Sequence, residues 1–312
     1  MQAIKNANPR RGTSLWLKKR ALGSDGFVVK TYLYLTLVGV GFVFLFPLIY
    51  MIAVSFKSLS DLLNFTVNLV PTSLYLGNYR RYFEVINYFP RLLETIYIAV
   101  VPSVLQTSIA AVIGYGFARF NFLGKKFLLG LVLATFIIPP QVIIIPQHIL
   151  FNNLGILESI MAYALPAAFG QGINSAIFIL IFYQTFRLIP KALEEAAQLD
   201  GAGHLTIFFR VAVPLAGSAA IIAFLFTFVW YWNETFLAAI YFRNASLTTL
   251  PLQLQRFVES FNELFARQPD VNVNEGVEMA GTFLTILPLL ILYFIMQRWF
   301  VESVDKSGIA GE

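Results

Sequence analysis

Apolar residues run through this chain in long blocks, and polar residues are confined to the gaps between them. Six blocks, roughly 31–54, 95–117, 127–147, 160–183, 215–237 and 280–297, are long enough to cross a bilayer, whose hydrocarbon core takes about 20 helical residues. None contains lysine, arginine or aspartate, and Glu234, near the end of the fifth, is the one carboxylate among them. The period-two alternation of membrane β-strands is missing. Helices are therefore predicted, because only helices and closed barrels satisfy every backbone polar group in lipid. The expected fold is an all-α integral membrane protein with six transmembrane helices over 31–297. Tails at 1–30 and 298–312 flank it.

Composition agrees with the pattern. The 312 residues are 58% hydrophobic and 12% charged, with a mean hydropathy of +0.71, whereas soluble domains carry about 25% charged residues. Cysteine is absent, which removes disulfides, thiolate metal sites and a cysteine nucleophile. His148 and His204 lie too far apart to build a zinc site by themselves.

The formal charge of +5 matters less than its placement. With the N-terminal tail in the cytoplasm, fifteen lysines and arginines fall on the inside, in the tails and the 118–126 and 184–214 loops. Seven fall outside, in loops 57–94 and 241–279. The positive-inside rule then predicts that both termini are cytoplasmic. The N-terminal segment does not read as a cleavable signal. Its basic stretch is too long, and no A-x-A site follows the first block. It is expected to be a disordered tail. Within the outer loop 241–279, "ARQPDVNVNEG" reads as an exposed turn region, and no internal repeat is visible.

The most informative gap is 184–214, with "EEAAQLDGAGHLTIFFRVAVPL" at 194–215. Pro190 suits the first turn of a helix. Glu194 and Glu195 follow near its positive end, and Ala192, Leu193, Ala196 and Ala197 are strong helix formers. "DGAG" stops this helix, with Gly201 or Gly203 expected at a positive φ. Leu205, Phe208, Phe209 and Ala212 then recur at i, i+3, i+4 and i+7, the spacing of one helical face. Pro214 opens the fifth block. A helix, a tight turn and a helix form a short rigid element suited to transmitting force, although an amphipathic loop lying on the membrane fits the pattern as well.

This stretch resembles the EAA loop of ABC-importer permeases, whose pattern Glu195, Ala196, Ala197, Gly201 and Pro214 match. Asp200 follows the form common among carbohydrate permeases. "GYGFARFNFLGKK", "PPQVIIIP", "NNLGILES", "WNE", "TLPLQLQRF" and "QRWFVES" are likewise similar to maltose-type, binding-protein-dependent permeases. Two departures stand out: "AGSAA" replaces the prolines usual after the "P-L" pair, and the chain ends "SGIAGE" where the family tends to end in a basic glycine-rich segment.

The resemblance implies a type I ABC importer permease fold. It also implies that Glu194, Glu195, Ala196, Ala197, Asp200, Gly201 and Gly203 form a coupling loop, which docks on a cytoplasmic ATPase dimer. The partners implied are that dimer, a second permease subunit (usually a different chain), an extracellular solute-binding protein and a sugar. Nucleic acid is not among them. No cofactor is expected on this chain, ATP and Mg being bound by the ATPase.

Tests for other chemistry are negative. The chain has no G-x-x-x-x-G-K-[ST], H-E-x-x-H or G-x-S-x-G, so neither a phosphate-binding loop nor a hydrolase motif is present, and an enzyme is not expected. Ion-coupled carriers usually place charge near the midplane, and these blocks are almost uncharged. They do hold neutral polar groups: Gln106, Thr107 and Ser108 in the second, Gln141 and Gln147 in the third, Gln171, Asn174 and Ser175 in the fourth, and Tyr231, Trp232 and Asn233 in the fifth. Amides and hydroxyls bind a neutral polyol without a charge penalty, which makes Gln141, Gln171, Asn174, Tyr231, Trp232 and Asn233 candidates for a substrate path. The same groups equally serve as helix-to-helix hydrogen bonds or interfacial anchors. Pro139, Pro140 and Pro146 break or bend the third helix. The alternatives are an ABC permease for an amino acid or phosphate, a stand-alone secondary carrier, and a scaffold that binds a partner through the polar loop.

Overall fold

The structure, a computed structural model, describes residues 26–243, 247–265 and 273–308. The basic tail up to residue 25, Arg267 and most of "ARQPDVNVNEG" lie outside the described residues. Helices account for most of what is described, with no strand among the described residues.

Three single helices are long and apolar enough to cross a membrane among the described residues. Helix α1 (Phe27–Ser55) begins inside the predicted tail. Its large side chains are mostly exposed, as lipid-facing residues are. After the short α2 (Leu59–Leu63) and α3 (Gly77–Ile86) comes α4 (Tyr88–Arg119), which has 32 residues. At 1.5 Å per residue α4 is about 48 Å long, more than the hydrocarbon core requires. The third long helix is the last element among the described residues.

The middle of the chain is broken. Helices α5 (Lys125–Ile137) and α6 (Pro140–Asn153) meet at 98°, so the third apolar block is not one straight helix. A proline disfavours the α region for the residue before it. Ile138 and Pro139 both precede a proline, and both are extended, with ψ of 118° and 136°. Pro146 lies within α6 without ending it.

The fourth block is also split. Helix α7 (Met161–Ala168) stops before a non-helical turn, and α8 (Ser175–Leu188) starts after it. Gly170, at φ +72°, makes this turn possible. Gln171 N–H bonds Pro166 O at 2.8 Å and Gly170 N–H bonds Ala167 O at 3.2 Å, the paired bonds of a Schellman stop.

Beyond α8 come α9 (Lys191–Leu199), α10 (His204–Leu215) and α11 (Gly217–Asn233). Alpha-helical pairs α8/α9 and α10/α11 bend by 71° and 76°. Helices α12 (Phe236–Tyr241), α13 (Leu250–Gln255) and α14 (Phe257–Leu264) follow, so the predicted loops 57–94 and 241–279 are largely helical where described. Helix α15 (Glu275–Gly308) runs on into the predicted C-terminal tail as far as the described residues go.

Helix α4 is the centre of the packing and touches α7, α8 and α11, while α15 lies against α1 and α3. A Cβ on Gly114 of α4 would stand 2.6 Å from Phe182 Cβ and 2.9 Å from Tyr183 N, so only glycine lets α4 and α8 come this close. Tyr82 of α3 is fully buried against α15, with its hydroxyl 3.3 Å from Thr285 Oγ1. Burial pushes its phenol up to about 12. Near α2, Thr72 donates to Asp61 through its hydroxyl at 2.6 Å and its N–H at 3.1 Å. The hydroxyl bond is the largest cause holding the Asp61 carboxyl below its ordinary value.

Candidate functional site

Two sites emerge, one in the polar loop and one at the helix breaks. In the loop, Pro190 caps α9 in an extended conformation rather than entering its first turn. The helix ends as the glycine pattern predicts. Gly201 has φ +82°, its N–H bonds Gln198 O at 2.9 Å, and Ala202 N–H bonds Ala197 O at 2.9 Å. Gly203 is the extended N-cap of α10 at φ −75°, so the left-handed position belongs to Gly201.

The loop residues divide by exposure. Glu195, Ala196, Asp200, Gly201 and Gly203 are exposed, and Ala197 is half-buried. Leu199 is 89% exposed, an apolar side chain that single packing within this chain does not cover. Glu194 faces inward. Its Oε1 accepts from Arg119 Nε at 2.6 Å, and Arg119 Nη2 donates to Ile189 O at 2.8 Å. The two charged side chains are only 7% and 11% exposed.

The expected single face of α10 does not form. Phe208 and Ala212 are buried with Ile207, whereas Leu205 is 75% and Phe209 64% exposed. A wider π turn over Phe208–Ala212 replaces regular α-helix here, and the buried side is centred on Phe208. The Phe208 ring packs 5.0 Å from that of Tyr115 on α4. The Tyr115 ring also packs 5.3 Å from that of Phe186 on α8.

The second site is a cavity of about 490 Å³ between the two broken helix pairs and the end of α11. Four of the six path candidates line it: Gln141, Gln171, Asn174 and Tyr231. Trp232 and Asn233 are not brought there. Trp232 is 1% exposed, with its ring 5.6 Å from that of Phe228, and Asn233 is exposed and donates to Val229 O of its own helix at 2.9 Å. On a helix, neighbours of Tyr231 point away from its face.

One network fixes the cavity wall. Tyr231 Oη donates to Gln106 Oε1 at 2.7 Å, Gln106 Nε2 donates to Ile173 O at 2.7 Å, and Ile173 N–H donates to Tyr231 Oη at 3.3 Å. Gly172 lies directly against the Gln106 and Tyr231 side chains. The break between α7 and α8 is thereby tied to α4 and α11.

Other lining residues carry polar groups outside this network. Tyr163 Oη, Ser175 Oγ and Tyr241 Oη are buried without a hydrogen-bond partner, and all three residues line the cavity. Glu234 also lines it, accepts from Leu237 N–H at 2.8 Å, and lies within electrostatic range of both tyrosines. No lysine or arginine is in the lining. Tyr163 and Tyr241 carried no signal in the sequence, where Tyr163 lies within the fourth apolar block and Tyr241 at the start of an outer loop. Arg119 carried none beyond its contribution to loop charge.

Comparison with known proteins agrees with this architecture. The chain is 28% identical over 296 residues to a probable ABC transporter permease of Bacillus subtilis, YurM, covering 94% of this chain and 91% of the relative. It is 27% identical to the arabinooligosaccharides transport system permease AraQ of Halalkalibacterium halodurans, over 87% of this chain and 93% of that one. With the maltodextrin transport system permease MalD of Streptococcus pneumoniae the identity is 28%, over 96% and 99%. A solved chain from a bacterial ABC transporter involved in import of the acidic polysaccharide alginate shares the fold at a TM-score of 0.73. It is 23% identical, with 87% of this chain and 96% of that chain covered. Residues 106–306, which hold both sites, match the model of the binding-protein-dependent transport system inner membrane components. The chain belongs to that family and is a multi-pass membrane permease of the ABC transporter class.

Proposed function

We propose that this chain is one of two permease subunits of an ATP-driven importer for a neutral sugar or oligosaccharide, and that the cavity is its half of the translocation path. The spans are then α1, α4, α5 with α6, α7 with α8, α11 and α15, a six-span topology with both termini in the cytoplasm, as the excess of inner basic residues favours. Exposed Glu195, Ala196, Asp200 and Gly201, with Leu199 beside them, dock on a cytoplasmic ATPase dimer, which holds ATP and Mg. A solute-binding protein delivers the sugar to the outer helices α2, α3, α13 and α14. This chain performs no hydrolysis.

The observation that carries the reading is the lining of the cavity. Tyr163, Ser175 and Tyr241 offer hydroxyls without partners, and Gln141, Gln171 and Asn174 offer amides beside them. Such groups exchange hydrogen bonds with hydroxyl-rich solutes at no charge penalty. The sugars named for AraQ and MalD support the same substrate class.

Mild detergent purification from the native membrane, with mass spectrometry of everything recovered, tests the assembly. A phosphate-loop ATPase and a second permease are the expected companions. Recovery of this chain alone, without ATPase activity, overturns the importer. Uptake of labelled neutral oligosaccharides by the assembled complex tests the substrate class, and uptake confined to amino acids or phosphate overturns it.

A further inference from the structure

The docking loop and the cavity wall are opposite ends of the same structure. Helix α8 begins at Ser175 on the cavity and ends at Leu188, immediately before α9. Helix α4 lies along it and is fastened to it at both ends. At the cavity end, Gln106 holds Ile173 O. At the loop end, Arg119 holds Ile189 O and the Glu194 carboxylate. Between the two straps the helices touch at Gly114, where a Cβ would strike Phe182 and the backbone of Tyr183. From Gln106 to Arg119 is about 20 Å at the helical rise.

Each strap is hard to loosen. Gln106 is fully buried. The guanidinium fork of Arg119 engages two acceptors in different directions, which lysine cannot reproduce. Its position is low in solvent, where salt screens charge poorly. A helix pair fixed at both ends and in close contact between them moves as one body. Displacement of α9 therefore displaces Ile173, and with Ile173 the wall that carries Gln171 and Asn174.

We propose that Arg119 is a positioning residue for transport: with Glu194 and Ile189 it clamps the docking loop to α4, so that α4 and α8 carry movement of the loop to the cavity as one lever. The proposal rests on the reading of the loop as an ATPase dock. Glu194 is accordingly assigned to the clamp, leaving the dock to its exposed neighbours.

The absence of cysteine gives a clean test. In the assembled transporter, Gln171→Cys gives this chain its single thiol, on an exposed position of the cavity wall, and labelling of this chain by a membrane-impermeant maleimide is timed without nucleotide and with a non-hydrolysable ATP analogue, the natural chain serving as the blank. In the otherwise natural chain the analogue is expected to change the rate by roughly fivefold or more, the lower range of ordinary coupling between sites. With Arg119→Ala the change is expected to fall below about twofold while the ATPase still co-purifies. Exchange of the charges, Arg119→Glu with Glu194→Arg, keeps the ion pair but gives up the bond to Ile189 O, so it is expected to restore only part of the change. An undiminished change in Arg119→Ala overturns the clamp and leaves the dock standing. A failure of the ATPase to bind the unaltered chain, or of nucleotide to alter its labelling, overturns the dock and the clamp with it. Should Arg119→Ala not assemble, Arg119→Lys decides, because it keeps the charge and gives up the two-acceptor fork: assembly with a change below about twofold supports the clamp, and assembly with an undiminished change refutes it.

Discussion

Alanine at position 172 adds a single carbon to the turn between α7 and α8, and the structure leaves no room for it. The new Cβ would stand 2.5 Å from Tyr231 Oη and closer still to Gln106 Oε1. Both are ends of side chains, which elsewhere would swing aside. Here Gln106 is 0% and Tyr231 1% exposed, and each is hydrogen-bonded to the other. Gly172 has no positive φ, so backbone strain does not enter, and the whole effect comes from crowding this network. Yielding means losing the Tyr231–Gln106 and Gln106–Ile173 bonds, each worth about 0.6–1.7 kcal/mol within membrane proteins. Overpacking adds about 1–3 kcal/mol. Gly172→Ala is therefore expected to destabilise the protein by roughly 2–6 kcal/mol.

Reversible unfolding in mixed micelles measures this directly, and a double-mutant cycle isolates the cause. Gln106→Ala removes the nearest obstacle. In that background Gly172→Ala should cost at least about 1 kcal/mol less than in the natural chain, since residues in contact couple by 0.5–3 kcal/mol. A loss below about 0.5 kcal/mol, within the usual range of a surface change, refutes the crowding. An equal loss in both backgrounds shows that Gln106 does not take part.

The loop glycines make a matched pair. Nothing lies within 4 Å of a Cβ at Gly201 or Gly203, but only Gly201 has a positive φ. Gly201→Val should cost roughly 1–3 kcal/mol of local strain and uncouple ATP hydrolysis from uptake at normal membrane abundance, whereas Gly203→Ala should leave both intact. Normal uptake by Gly201→Val ends the coupling assignment. Tyr163→Phe and Tyr241→Phe each delete a hydroxyl without a partner, so melting temperature should hold or rise while sugar affinity falls about fivefold per lost bond of ~1 kcal/mol; a clear loss of stability would mean that the hydroxyl is already satisfied. Asp61 supplies the pH dependence. Its folded carboxyl titrates below the ordinary 3.8, chiefly through Thr72, so its contribution is present above 3.8 and disappears as pH falls through the lower folded value. Melting curves of the natural chain and Asp61→Asn should differ above 3.8 and converge in stronger acid, and a difference that grows with acid contradicts the Thr72 bond.

How much of this was legible depended on the range of each interaction. The apolar blocks are local, and they announce membrane helices by length alone. The break at Pro139–Pro140 is local too, because each proline constrains its neighbour, and so is the Gly201 stop. The split in the fourth block was visible only as polar Gln171, Asn174 and Ser175. What makes it possible, Gly170 at positive φ and Gly172 beneath two side chains, looks in sequence like the small residues common in membrane helices. The Arg119–Glu194 pair joins positions 75 apart, and no periodicity within either segment marks it. The face of α10 was misplaced for another reason. Leu205 and Phe209 have the spacing of a buried stripe, but the π turn and the neighbouring rings of Tyr115 and Phe186 select Phe208 instead.

Irregular backbone persists at membrane depth only where protein or a water-filled cavity receives its polar groups. At the split between α7 and α8 those groups are met from within. Gln171 N–H is bonded to Pro166 O, Ser175 N–H to Gly172 O at 3.2 Å, and both the N–H and C=O of Ile173 to the Tyr231–Gln106 network. The side chains around the same space are treated differently, for Tyr163, Ser175 and Tyr241 keep hydroxyls with no partner. A break serving only to bend the chain would need the first arrangement and gain nothing from the second, because each buried hydroxyl left unpaired costs about 1–3 kcal/mol. A wall rigid in its backbone and unsatisfied in its side chains is what a site for a hydroxyl-rich solute requires. On the proposed reading the solute supplies the missing bonds while it is bound, once the wall has opened far enough to bring these buried hydroxyls to the cavity surface.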